Sequence, residues 1–366
     1  MKKQETNEPK LRDAFREGFK QENFFQTVKR EFSELQEFYL DENRRQRLRE
    51  MGVLKRTFWT IVWLLKLMFL RLSPIRRLLM LGGLILMFTW TRLSNAENDS
   101  PFGPNTLLLG TIIILFILML ELKDKLLARD ELEAGRKVQI ALMPERSPSV
   151  PGWDIWLYSR PANDVGGDLI DFFEISENKY GIVLGDVSGK GLEAALFMAK
   201  LQATIRAFLT EFSSLAEFAA KINKIFHRDS LPNKFASMVF TELEANTGHV
   251  RLIDAGHMPP IVLRKDGMEE IESKTPAFGL MSNAQYMEKQ LEFEQGDFLI
   301  LYSDGISEAR SENGEFYGED RLKEKIKKTK TSSARNLGES IIKDIARFKR
   351  EARIFDDLSL AIIRRV

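Results

Sequence analysis

Four short stretches of this 366-residue chain set aspartates where apolar runs meet turns. Val165–Asp171 (VGGDLID) places two glycines ahead of Asp168. Tyr180–Gly191 (YGIVLGDVSGKG) runs apolar into Asp186 and then turns through glycines. Phe298–Gly305 (FLILYSDG) repeats apolar run, acid and glycine around Asp304. Phe355–Leu358 (FDDL) sets Asp356 and Asp357 ahead of a further apolar run. One aspartate at a strand end usually does no more than end the strand, because Asp favours turns. Four such sites read differently together: converging carboxylates repel unless cations lie between them. Oxygen-rich sites of this kind suit paired Mg²⁺ or Mn²⁺ ions. The rest of the composition points the same way. There is no Cys, and His227, His249 and His257 are the only histidines. Disulfides, thiolate metal centres and a cysteine nucleophile are thereby excluded. A polyhistidine metal site is disfavoured, and a Ser-His-Asp triad has few candidates.

Gly185–Gly191 (GDVSGKG) superficially suggests a phosphate-cradling loop. That loop needs four residues between its glycines and Ser or Thr after its Lys. Here three intervene, Gly191 follows Lys190, and Asp186 stands where phosphate would approach.

These acids need elements to hold them. From Gly152 onward, apolar runs occur at Asp154–Ser159, Leu169–Ile175, Tyr180–Leu184, Ser237–Leu243, Val250–Ile253, Gln290–Phe293, Phe298–Tyr302 and Leu358–Ile363. Gly, Asp, Asn and Pro clusters separate them, which predicts strands and tight turns. Met198, Leu201, Ile205 and Phe208 recur at helical spacing, and further helices are predicted over Leu215–Phe226, Glu319–Lys328 and Ser332–Lys349. The alternation predicts an α+β sandwich with its own core.

The first third of the chain reads otherwise. Residues 1–56 are densely charged, with Leu11, Phe15, Phe19, Phe24 and Phe25 on one helical face, and predict an amphipathic helical region. The basic run Arg44, Arg45, Arg47, Arg49, Lys55 and Arg56 suits anionic lipid headgroups. Nucleic acid is not indicated: Lys+Arg and Asp+Glu number 54 and 53, and no reading module accompanies the run. Residues 57–122 predict a membrane region with spans at about 75–91 and 106–122. Thr57–Leu72, with Trp59 and Trp63, is compatible with an interfacial helix. Arg71, Arg76 and Arg77 precede the hairpin, and Lys123, Lys125 and Arg129 follow it. The positive-inside rule then predicts a multi-pass protein of the inner (cytoplasmic) membrane, with the N-terminus and everything after Leu122 in the cytoplasm. Residues 123–143 predict a linker helix. Leu120, Leu127, Ala134 and Ala141 are seven apart, but Asp124 and Glu131 occupy the complementary position, so a homodimeric coiled coil is only weakly signalled. Pro144, Pro148 and Pro151 mark the boundary of a domain at 144–366.

From about Glu133 to Ile363 the chain resembles the bacterial PP2C-type serine/threonine phosphatases of the SpoIIE/RsbU family. The matching pieces come in family order: Gln139–Pro144 (QIALMP), Pro161–Asp168 (PANDVGGD), Gly185–Gly191, Ala255–Pro260 (AGHMPP), Gly296-Asp297, Tyr302–Gly305 (YSDG) and Asp356–Ser359 (DDLS). The resemblance implies a PP2C-like α-β-β-α sandwich, two packed antiparallel sheets flanked by helices, with two Mn²⁺ or Mg²⁺ ions at one end. It implies that Asp186 bridges the metals, with the Val187 carbonyl as a further ligand. Asp304 and one acid of the Asp356/Asp357 pair hold the second metal, Asp356 aligning better. Asp168 acts mainly through metal-bound water, and Asp168 and Asp186 carry the catalysis. The implied reaction is hydrolysis of phosphoserine or phosphothreonine by a metal-activated water. The substrate implied is a phosphorylated regulatory protein, a STAS-type anti-sigma-factor antagonist. Val187 and Ser188 stand where eukaryotic relatives place a His, so water is left as the acid. Lys190 reads as a phosphate-orienting group or as an exposed turn cation, and His257 as a strand-to-turn feature more than a catalyst. Two rival readings are a different two-metal enzyme, such as a nucleotidyl cyclase, and a noncatalytic PP2C-like binding module.

Overall fold

The computed structural model describes residues 39–93, 105–329 and 331–366, with positions 32, 35 and 36. The apolar face expected from Leu11 to Phe25, and most of the loop expected between the two spans, lie outside the described residues. The chain divides into two compact units, Met1–Leu126 and Leu127–Val366.

The first unit is helical where described: α1 (Glu42–Arg49), α2 (Val53–Arg71), α3 (Pro74–Leu93) and the start of α4 (Asn105–Leu142). Asp41 caps α1 by accepting the Arg44 amide. Leu40, Leu48 and Leu64 bury against one another. Among the described residues, no helix is long and apolar enough to cross a membrane. That overturns the multi-pass inner-membrane placement expected from the sequence, with the topology derived from it. The charges supply the reason. α2 carries Lys55, Arg56, Lys66 and Arg71 within its 19 residues. In α4 the uncharged run from Leu107 ends at Leu120, with Glu121, Lys123, Asp124 and Lys125 directly after it. Those residues rise about 21 Å, short of the roughly 30 Å hydrocarbon core. Arg76, counted as a topology signal, instead pairs with Glu121 (2.6 Å) and Asp124 (2.7 Å) on α4.

The second unit is built from two five-stranded sheets. In chain order its elements are β1 (Trp153–Arg160), β2 (Asp168–Ser176), β3 (Lys179–Val187), α5 (Leu192–Phe208), α6 (Leu215–Asp229), β4 (Ala236–Glu244), β5 (His249–Ala255), β6 (Ile261–Leu263), β7 (Met268–Glu270), β8 (Lys289–Glu292), β9 (Phe298–Tyr302), α7 (Asp304–Ser307), α8 (Glu319–Lys328), α9 (Ala334–Lys349) and β10 (Leu358–Arg365). The sheet orders are β1-β10-β9-β6-β7 and β2-β3-β4-β5-β8, with antiparallel neighbours throughout.

Successive strand residues point to opposite faces, so a strand covered on both sides reads as a continuous apolar run. β3 shows this. Ile182 and Leu184 enter the core between the sheets, while Val183 packs under α5 and α6 with Leu201, Ile205, Phe218 and Ile222. β10 does the same on the other sheet. Ala361 and Ile363 face inward, whereas Leu360 and Ile362 pack with Leu322, Ile326, Leu337 and Ile341 of α8 and α9. The layers are therefore helix, sheet, sheet, helix, as expected. Ser214 and Ser333 cap α6 and α9 by accepting the amides of Glu217 and Asn336. The eight expected strands are all present. β6 and β7 were not expected, since three residues are too few to show a period. α7, a single turn, was missed for the same reason.

Candidate active site

Strand register assembles the first half of the site. Asp168 opens β2 directly opposite Asp186 on β3, and Ser237 on β4 faces Asp186 from the other side. The second half comes from the other sheet. Asp304 begins α7 just after β9, Asp356 and Asp357 lie just ahead of β10, and β9 and β10 pair through Tyr302 and Leu360.

The electrostatics record the convergence. Burial, and then the charges of Asp304, Asp356 and Asp357, push the Asp186 carboxyl up to about 7. Burial drives Asp168 well above the ordinary carboxylate range; Asp186 and Asp357 add to this, and the Ser359 and Ser303 hydroxyls oppose it. Asp304 is raised by burial and by Asp356. Asp168 Oδ2 is buried without a hydrogen-bond partner. Among the described residues, no three acids or histidines close into a ready-made metal cage. The donor set nevertheless fits a hard divalent cation: carboxylates only, mutually repelling, one with an orphaned buried oxygen.

The adjacent acids Asp356 and Asp357 differ sharply. Asp357 Oδ1 accepts the Ala162 amide (2.7 Å), and its Oδ2 accepts the amides of Gly167 (2.6 Å) and Asp168 (3.2 Å). Both oxygens thus hold the turn that carries Asp168. A Cβ on Gly166 would overlap the Asp357 carboxylate, so the glycine permits this close approach. Asp356 is the more exposed of the two; its Oδ1 accepts the Asp357 amide (3.0 Å) and its Oδ2 accepts Lys190 Nζ (2.8 Å). The Val187 side chain is fully buried in the core, leaving only its carbonyl for the site. Asp171, in the same stretch as Asp168, faces away and pairs with Arg206 and Gln202.

His257 is a buried tie. Its Nδ1 lies 2.7 Å from Ser237 Oγ, its amide donates to Asp254 Oδ1 (2.8 Å), and burial pushes its imidazole down to about 4. Two groups escaped the reading of chemistry from sequence. Gln139 of α4 clasps Gly166 through both its amide atoms, at 2.8 and 3.1 Å. Ser303 and Ser359 form a fully buried link in which the Ser359 amide donates to Ser303 Oγ (3.0 Å). The only signal for either was its place beside an acid or within a family stretch.

Known proteins resemble this chain in sequence and in fold. The family model described as stage II sporulation protein E (SpoIIE) matches residues 176–366, more than half the chain. Protein IcfG of Synechocystis sp. (strain ATCC 27184 / PCC 6803 / Kazusa) is 29% identical over 276 residues, covering 67% of this chain and 43% of IcfG. Phosphoserine phosphatase RsbU of Bacillus subtilis (strain 168) is 26% identical over 239 residues, covering 65% of this chain and 70% of RsbU. The chain thus spans less than half the length of IcfG. In fold, it superposes on the SiaA-PP2C domain of Pseudomonas aeruginosa with a TM-score of 0.58, at 17% identity, over 66% of this chain and 98% of that one. With a family match that runs from the end of β2 to the last residue, over more than half of its length, the chain belongs to the SpoIIE family.

Proposed function

We propose that this chain is a metal-dependent protein serine/threonine phosphatase that hydrolyses phosphoserine or phosphothreonine on a regulatory protein. The observation that carries the reading is geometric: Asp168 and Asp186 face each other at the end of the β2–β3 ladder, and Asp168 Oδ2 is buried without a hydrogen-bond partner. Family membership and the phosphoserine phosphatases among the relatives support it. We assign catalysis to 144–366 and the role of an entry helix to 123–143. By family resemblance, the substrate is a serine-phosphorylated STAS-type anti-sigma-factor antagonist, and a homodimer through the entry helix is compatible with its length.

Two divalent ions, Mn²⁺ or Mg²⁺, would be held by Asp186, Asp304 and Asp356, with the Val187 carbonyl and Asp168 completing the set. Bound there, they would supply Lewis acidity that activates water and offsets phosphoryl charge. The chain's own residues do the positioning. Asp357 holds the Ala162–Asp168 segment through its three amide contacts, so Asp168 is presented to Asp186 at fixed register. Buried Ser303 and Ser359 lock the start of β10 to the end of β9. The charge of Lys190 lowers both Asp186 and Asp304.

The test is phosphate release by the full chain from a serine-phosphorylated protein and from p-nitrophenyl phosphate, with Mn²⁺, with Mg²⁺ and with EDTA. Turnover with metal, lost in EDTA and in Asp186→Asn, is expected. Metal-independent turnover, or full activity in that variant, would sink the reading.

A further inference from the structure

Lys190 stands on the turn after Asp186, between Gly189 (φ 112°) and Gly191 (φ 72°). Both flanking conformations belong to the region that L side chains rarely adopt and that glycine enters without steric cost. Its ammonium does not simply point to water. It donates to Asp356 Oδ2 (2.8 Å) and to the Phe355 carbonyl (2.7 Å), across 166 and 165 residues of chain. Asp186 belongs to the β2-β3-β4-β5-β8 sheet, and Asp356 leads into a strand of the other. One side chain therefore joins the loops that carry an acid from each sheet. No other cation pairs with Asp356 among the described residues.

We propose that Lys190 is a positioning residue. Its ammonium fixes the Asp356 carboxylate and the backbone before it against the turn following Asp186, so that both acids can serve one divalent-ion site. The inference rests on the metal-dependent reading above. An isolated ion pair this exposed, with side chains 58% and 37% accessible, contributes little to stability, so its consequence falls on the placement of Asp356. Outer partners of metal-binding carboxylates act in this way, orienting the ligand without touching the metal.

The experiment measures Mn²⁺ binding by calorimetry, and free Mn²⁺ by electron paramagnetic resonance, on the full chain. Wild type, Lys190→Met, Lys190→Arg, Asp356→Asn and the Lys190→Met/Asp356→Asn double variant are compared, each with a thermal melt in EDTA. Lys190→Met is expected to weaken Mn²⁺ binding about 10- to 100-fold with its EDTA melt unchanged. Lys190→Arg should restore most of the affinity, because a guanidinium can bridge the same two oxygens. The double variant should bind no more weakly than Asp356→Asn alone. Binding by Lys190→Met equal to or tighter than wild type would overturn the proposal, as would additivity in the double variant. Wild type that binds no Mn²⁺ would overturn the metal-dependent reading itself. Wild-type binding with an indifferent Lys190→Met overturns the positioning role alone.

Discussion

The two sheets deliver their acids by different means. Asp168 and Asp186 sit opposite each other within a ladder, so their spacing follows from β2–β3 pairing and cannot slip without turning every neighbour inside out. Asp304 opens the single-turn α7 after β9, and Asp356 and Asp357 lie in the loop ahead of β10, where no ladder holds them. There the hydrogen bonds of Asp357, Ser303 and Lys190 do the holding. One half of the site is therefore as firm as the sheet, and the other is as firm as a few side-chain contacts. This difference predicts which substitutions injure chemistry and which injure folding.

The largest effect should come from the ladder acid. Asp186→Asn should lower phosphate release by about 10²- to 10³-fold, the range for loss of one preorganised electrostatic group, with no loss in the urea midpoint. Comparable loss of stability would mean that the register depends on the acid rather than on the strands. On the loop side, Asp357→Ala should cost about 3 kcal/mol in urea unfolding, because it strands the amides of Ala162, Gly167 and Asp168. Asp356→Asn, one residue away, should leave the urea midpoint near wild type while weakening Mn²⁺ binding; equal destabilisation by both would erase the distinction between them. Gly166→Ala should cost about 2 kcal/mol, since its methyl must displace the Asp357 carboxylate.

The smallest effect tests an acid outside the site. Burial pushes Asp254 up to about 7. The folded state then binds its proton more tightly than the unfolded chain does. Its contribution is most favourable below about pH 4 and is lost as the pH rises through 7. Asp254→Asn should therefore raise stability at pH 8 and leave it nearly unchanged at pH 4, as read from urea midpoints at both values. A larger gain at the lower pH would reverse the assignment.

Much of this was legible in the chain. Strands such as β3 and β10 showed as apolar runs because they are covered on both faces, and the acids stood out because they stand at the ends of such runs. The membrane reading failed on the same kind of evidence. The apolar lengths were counted without the partners that charges such as Arg76 find on a neighbouring helix. Nor could spacing separate Asp356 from Asp357, since adjacency in sequence says nothing about which carboxylate meets the amides of residues 162–168.

By itself, then, the sequence determined the layer architecture, the four acidic strand ends and a chemistry confined to oxygen ligands. Hydrophobic periodicity and side-chain inventory are local properties. Only the tertiary structure decided that Asp168 faces Asp186, that Asp357 holds a turn while Asp356 faces Lys190, and that His257 is a buried tie. Those assignments depend on contacts between residues far apart in the chain, which exist only once both sheets have closed on their shared core.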